Sequence, residues 1–161
     1  TMERLGKIND KNILYVYWED INKSRSELPT QNWLVFVIGN DKLETEYLKL
    51  AKICIDRKVL FACTAGKECQ LIHDTFDQVD INRLKKNGDY DKLEDLSIYF
   101  VMTTSHEDFD EGFWFAATTA FSEFGDIEKV VCVDFTDKNV KGDLQELIIK
   151  IDEGWLPDDD D

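Results

Sequence analysis

Positive charge is scarce in this chain. Its 161 residues carry 19 lysines and arginines against 34 aspartates and glutamates, a formal charge of −15 near neutral pH. Nucleic acid and anionic membrane surfaces are themselves negatively charged, so neither is expected as a direct ligand. Long apolar runs are missing as well: nothing approaches the roughly 20 residues that span a bilayer. Thr1 to Asn12 lacks the basic and then apolar order of a signal peptide. A cytoplasmic protein is the expectation.

Catalytic and cofactor signatures are equally thin. Cys54, Cys63, Cys69 and Cys132 include no Cys-x-x-Cys pair, and three of them lie in or beside apolar runs, where a thiol acts as a small hydrophobe. Reduced structural thiols are expected. No Gly-x-Ser-x-Gly elbow occurs, and Ser105 beside His106 is too close in sequence for the two to face each other. Gly39-Asn40-Asp41 is neither a dinucleotide fingerprint nor a Gly-Lys-Ser/Thr loop, so no nucleotide cofactor is implied. No catalytic residue, resident metal or cofactor is assigned.

What is present is a strong structural rhythm. With 43% hydrophobic residues the chain is no disordered acidic tail, and one domain over residues 1–156 is expected, followed by an acidic tail at 157–161. Continuous apolar runs alternate with amphipathic stretches from Trp33 to Ile151. Trp33 to Ile38 reads as a strand covered on both faces. Leu43, Tyr47, Leu50, Ala51 and Cys54 then form a helical stripe. Val59 to Cys63, Ile98 to Met102 and Val130 to Phe135 repeat the strand signal, each with a helix after it.

Between the second helix and the third strand, Lys85 to Asp95 reads as a surface loop. The third helix, about Asp110 to Phe124, is apolar around most of its circumference, so it needs cover on more than one side, from the core or from another chain in a homo-oligomer. Four β-α units predict a mainly parallel three-layer α/β fold, Rossmann-like or flavodoxin-like. Ile13 to Trp18 is read as an added N-terminal edge strand and Asn22 to Asn32 as a linker.

Open parallel sheets bind ligands outside the carboxyl ends of their strands. That rule selects Gly39, Asn40 and Asp41 after the first strand, Thr64 and Gly66 after the second, Thr103 to Asp108 after the third, and Thr136 and Asp137 after the fourth. If the four strands run 2-1-3-4, the first and third loops meet. Asn40, Thr104, Ser105 and His106 are the candidate polar site, because a histidine flanked by carboxylates is suited to acid-base work. Asp108, Asp110 and Glu111 also sit where a helix start needs caps and negative charge, a purely structural role.

Met102 to Phe115, with Thr-Thr-x-His-x-Asp and then Trp-Phe, resembles a motif of small uncharacterised bacterial proteins. The resemblance implies no activity. In class and charge, though not in motif, the chain also resembles the acidic immunity proteins that neutralise nuclease toxins.

These readings converge on a non-enzymatic, acidic protein-binding module, of the kind that inhibits a basic, nuclease-like toxin by imitating a polyanion. Its expected contact surface is Asp41, Glu107, Asp108, Phe109, Asp110 and Asp137. The alternative is a magnesium- or manganese-dependent hydrolase or phosphotransfer enzyme, its ion held by Asp41, Glu107, Asp108 and Asp137 at the strand ends.

Overall fold

A computed structural model describes residues 2–138 and 140–158, apart from the side chain of Asn22. Asp159 to Asp161 of the expected acidic tail lie outside the described residues. Six strands form one sheet: β1 (Glu3–Ile8), β2 (Lys11–Tyr17), β3 (Trp33–Gly39), β4 (Phe61–Gly66), β5 (Met102–His106) and β6 (Lys129–Asp134), in the order β1-β2-β6-β3-β4-β5. All neighbours are parallel except β1 and β2, an antiparallel pair at one edge.

Five helices accompany them: α1 (Trp18–Lys23), α2 (Glu44–Asp56), α3 (Cys69–Lys86), α4 (Phe109–Trp114) and α5 (Lys141–Asp152). Successive side chains of β3 alternate between the two faces, and all seven residues are buried. Trp33, Val35 and Val37 pack with Tyr47 and Leu50 of α2 and Ile72 and Phe76 of α3. Leu34, Phe36 and Ile38 pack with Phe113 of α4 and Leu144 and Leu147 of α5. A strand covered on both faces reads as an unbroken apolar run, which is why β3 stood out in the sequence.

The segment expected at the edge is not there. β2 lies inside the sheet between β1 and β6, and the true edge strand is β1. The two are joined by Asn9-Asp10, both at positive φ (45° and 69°), a hairpin turn whose twist matches the strands it joins. Trp18 begins α1 rather than ending a strand. The expected linker at Asn22 to Asn32 contains the end of α1 and a 3-10 turn at Arg25–Glu27, and Leu28 within it is buried.

The third expected strand is displaced along the chain, from Ile98–Met102 to Met102–His106, for an identifiable reason. The buried Asp80 of α3 accepts a hydrogen bond from the Val101 amide at 2.8 Å, Arg83 donates to the Tyr99 carbonyl at 2.9 Å, and the Tyr99 hydroxyl donates to the Val59 carbonyl. These bonds hold residues 99–101 to α3 and to the approach to β4, so pairing with β4 begins at Met102. The helix expected at 110–124 is also shorter. After Trp114 the chain widens into a π-helical turn, Phe115–Thr119, closed by the Ala120 amide donating to the Phe115 carbonyl at 3.0 Å.

Candidate functional site

The observed strand order changes which loops meet. β6 lies beside β3, and the helices that follow them, α5 and α2, cover opposite faces of the sheet. The crevice at their carboxyl ends is lined by Gly39, Asn40, Lys67, Thr136, Asp137 and Lys138, about 370 Å3 in volume. The first and fourth loops therefore meet, and the third is separated from the first by β4. Gly39 is required where it stands, because a Cβ there would lie 2.1 Å from the Lys67 carbonyl oxygen.

Within this crevice the expected acidic surface is largely neutralised. Asp41 is paired with Lys67 at 2.8 Å and Asp137 with Lys42 at 3.6 Å. Asn40 is held through its backbone: its amide donates to the Tyr47 hydroxyl at 3.2 Å, and that hydroxyl is hydrogen-bonded to the Asn40 carbonyl and to Glu68 Oε2. Behind the crevice Asp134 is fully buried. Its carboxylate accepts from the Tyr15 hydroxyl at 2.6 Å and from the amide and hydroxyl of Thr136 at 2.7 and 2.6 Å. Burial, then this bond to Asp134, pushes the Tyr15 hydroxyl well above its ordinary pKa. The signal for this network in the sequence is the lone aspartate within the apolar run Val130 to Phe135.

The third loop turns out to be mostly strand. The chain's two histidines lie on opposite faces of β5, His106 as its last residue and His73 from α3, each bonded to one of its threonines and facing acid. On the α4 side, His106 Nδ1 lies 2.6 Å from Glu111 Oε1 and Nε2 lies 2.9 Å from Thr104 Oγ1, while the ring packs 5.0 Å from that of Phe115. On the α3 side, His73 Nε2 lies 3.1 Å from Thr103 Oγ1, with Asp74 and Asp77 at 3.1 and 3.6 Å from Nδ1.

Both nitrogens of His106 are engaged, so the ring fastens α4 to the end of β5. Gly112 permits the close approach, since a Cβ there would lie 3.0 Å from that of His106 and 3.2 Å from that of Ala65. Ser105 faces away from His106 and donates to Gln70 at 3.1 Å. Cys63, beside Thr104 on the neighbouring strand, is buried, and its thiol is pushed up to about 12. It therefore offers no thiolate nucleophile.

Asp108 caps α4, accepting from the amides of Asp110 at 2.9 Å and Glu111 at 3.3 Å. Phe109 is partly buried, its ring packing against the core 5.8 Å from that of Phe36. Glu107 and Asp110 are exposed. Burial and the neighbouring Asp108 raise the Asp110 carboxyl above the ordinary range; Lys150 opposes this, and Asp143 adds to it. Asp110 is thus repelled by both Asp108 and Asp143 at the seam of α4 and α5, with Lys150 offsetting part of that repulsion; Asp143 is a member of this group absent from the expected contact surface.

The ion-binding arrangement imagined for Asp41, Glu107, Asp108 and Asp137 does not form. Among the described residues, the acidic and imidazole groups near enough to share an ion are His73, Asp74 and Asp77 of α3, where His73 and Asp77 meet Thr103 of β5.

Residues 15–151 match a family described as Domain of unknown function (DUF7684). The chain belongs to that family. The DUF7684 match opens in β2 and closes in α5, so it takes in the parallel strands and all five helices while leaving out β1. None of the curated proteins matches the chain.

Among the described residues no helix is long and apolar enough to cross a membrane. Charge divides sharply along the DUF7684 chain. Residues 1–86 hold 14 basic and 13 acidic side chains, whereas residues 87–161 hold five basic and 21 acidic ones. The second group builds β5, α4, β6 and α5, including the seam with Asp110 and Asp143.

Proposed function

We propose that this protein is a non-enzymatic, acidic protein-binding domain, an immunity-type inhibitor whose partner is a basic, nuclease-like toxin. The observation that carries the reading is the concentration of negative charge in residues 87–161, with Asp108 and Asp143 set close enough to Asp110 at the α4–α5 seam to raise its carboxyl against the opposing pull of Lys150. Like charges held together lower stability, and a cationic partner relieves exactly that cost through charge complementarity while steering gives it a fast approach. The contact surface is thereby moved from the lysine-paired crevice to the seam and to Glu107. Within the same proposal the scaffold is a Rossmann-like three-layer unit, its parallel strands carrying α2 and α3 on one face and α4 and α5 on the other.

The test is capture from a lysate of the native host with the tagged protein as bait, followed by association kinetics with the captured protein. A basic partner is expected, binding more slowly as salt shortens the Debye length from about 30 Å at 0.01 M to about 8 Å at 0.15 M. Asp110→Lys with Asp143→Lys should slow association at least tenfold at low salt. Failure to capture a basic protein, or rates unchanged by the double reversal, overturns the proposal.

A further inference from the structure

Five phenylalanines, Phe61, Phe100, Phe115, Phe121 and Phe124, line a pocket of about 380 Å3 on the α4 side of β5. They come from β4, the segment before β5 and the π-helical turn with the residues after it, so the aromatic wall is assembled from distant parts of the chain. Phe61 and Phe115 have ring centroids 5.9 Å apart, and Phe100 and Phe124 lie 5.3 Å apart nearly at right angles. The π-helical turn contributes directly: Phe115, at its first position, lies both in the pocket wall and against His106. Such turns interrupt an α-helix at some cost and recur at functional sites. The mouth is open, with Phe121 71% and Met102 43% exposed.

Charge decides what the pocket accepts. Its lining includes Glu123 and no lysine, arginine or histidine. Glu123 makes no ion pair among the described residues, and apart from Phe61 the lining comes from the strongly acidic residues 87–161. A carboxylate or phosphate ligand would find no counter-charge and would meet repulsion. A cation meets the opposite conditions: aromatic faces attract positive charge lying within about 6 Å of their centroids, most usefully when the cation carries apolar groups and sheds little hydration. We propose that this pocket binds a small organic ammonium ion with apolar substituents, of the trimethylammonium kind.

The test compares choline with 3,3-dimethylbutan-1-ol, which has the same shape and no charge, by calorimetry and by chemical-shift titration of the intact protein. Choline is expected to bind at least about fivefold more tightly than the alcohol, a ratio equivalent to roughly 1 kcal/mol of cation–π attraction. Phe121→Leu and Glu123→Gln, both at exposed positions, should each weaken choline binding at least threefold and leave the melting temperature unchanged. Equal or tighter binding of the alcohol overturns the assignment of a cation. So does choline binding that neither variant alters, which would be diffuse attraction to an acidic surface. No binding of either probe overturns the pocket itself. None of these outcomes bears on the seam, whose test uses other residues and another ligand.

Discussion

Asp110 shows how a single side chain can work against the fold that holds it. A carboxyl raised above its ordinary value of 3.8 takes up a proton at higher pH in the folded chain than in the unfolded one. Between those two values the folded state binds more protons, so stability falls as pH rises through that window, and the full cost persists at neutral pH. Asp110→Asn should therefore raise the melting temperature at pH 7 and leave it unchanged near pH 3, where the carboxyl is protonated in both states. The group is exposed, so the gain should stay below about 1 kcal/mol. Thermal unfolding of both proteins across pH 3 to 7 checks this, and a variant no more stable at pH 7 would show that Lys150 already offsets the repulsion.

At the level of elements, the entry to β5 depends on α3. Asp80 is 4% exposed; it joins Arg83 at 2.8 Å and receives the Val101 amide, while the Arg83 guanidinium lies 4.9 Å from the Tyr99 ring centroid. Asp80→Ala removes the acceptor and leaves a buried amide unpaired, a loss of about 1–3 kcal/mol in urea unfolding. Amide exchange should quicken at Val101 and at β5 before it quickens at β3. A uniform change would mean that the segment is not held locally.

The same contacts explain what the sequence disclosed about this region and what it concealed. Ile98 to Met102 is the more apolar stretch and reads as the strand, but pairing is decided by Asp80 and Arg83, whose partners lie 21 and 16 residues further along the chain, respectively. Burial on both faces made β3 and β6 legible, and stripe spacing made α2 and α5 legible. β1 was hidden because it is an edge strand with a largely polar sequence, Glu3-Arg4-Leu5-Gly6-Lys7-Ile8. For the candidate site, the Asp108 cap was readable from its position at a helix start. The lysine partners of Asp41 and Asp137 were less so, since Lys67 pairs across 26 residues. The phenylalanine pocket joins three separate segments that no local pattern connects.

Across the whole molecule, the division of charge makes the two ends of the sequence unlike in what salt does to them. Residues 87–161 repel themselves, whereas the face built by α2 and α3 carries a concavity of about 580 Å3 lined by Arg25, Lys49, Lys52, Arg57, Arg83 and Lys86. Self-repulsion among exposed carboxylates weakens as the Debye length falls from about 30 Å at 0.01 M to about 8 Å at 0.15 M, so the melting temperature should rise over that range. Reversing Glu128, Glu146 and Glu153 to lysine should flatten this rise and stabilise the protein at low salt. Reversing Glu27, Glu44 and Asp56 changes the net charge equally but places all three new lysines in the near-neutral half, one of them, at position 56, among the six cations of the concavity. That second variant should gain less at low salt, because part of what it relieves among the acids it adds among the bases. Equal gains from the two triple variants would mean that only net charge matters and that its distribution has no energetic consequence.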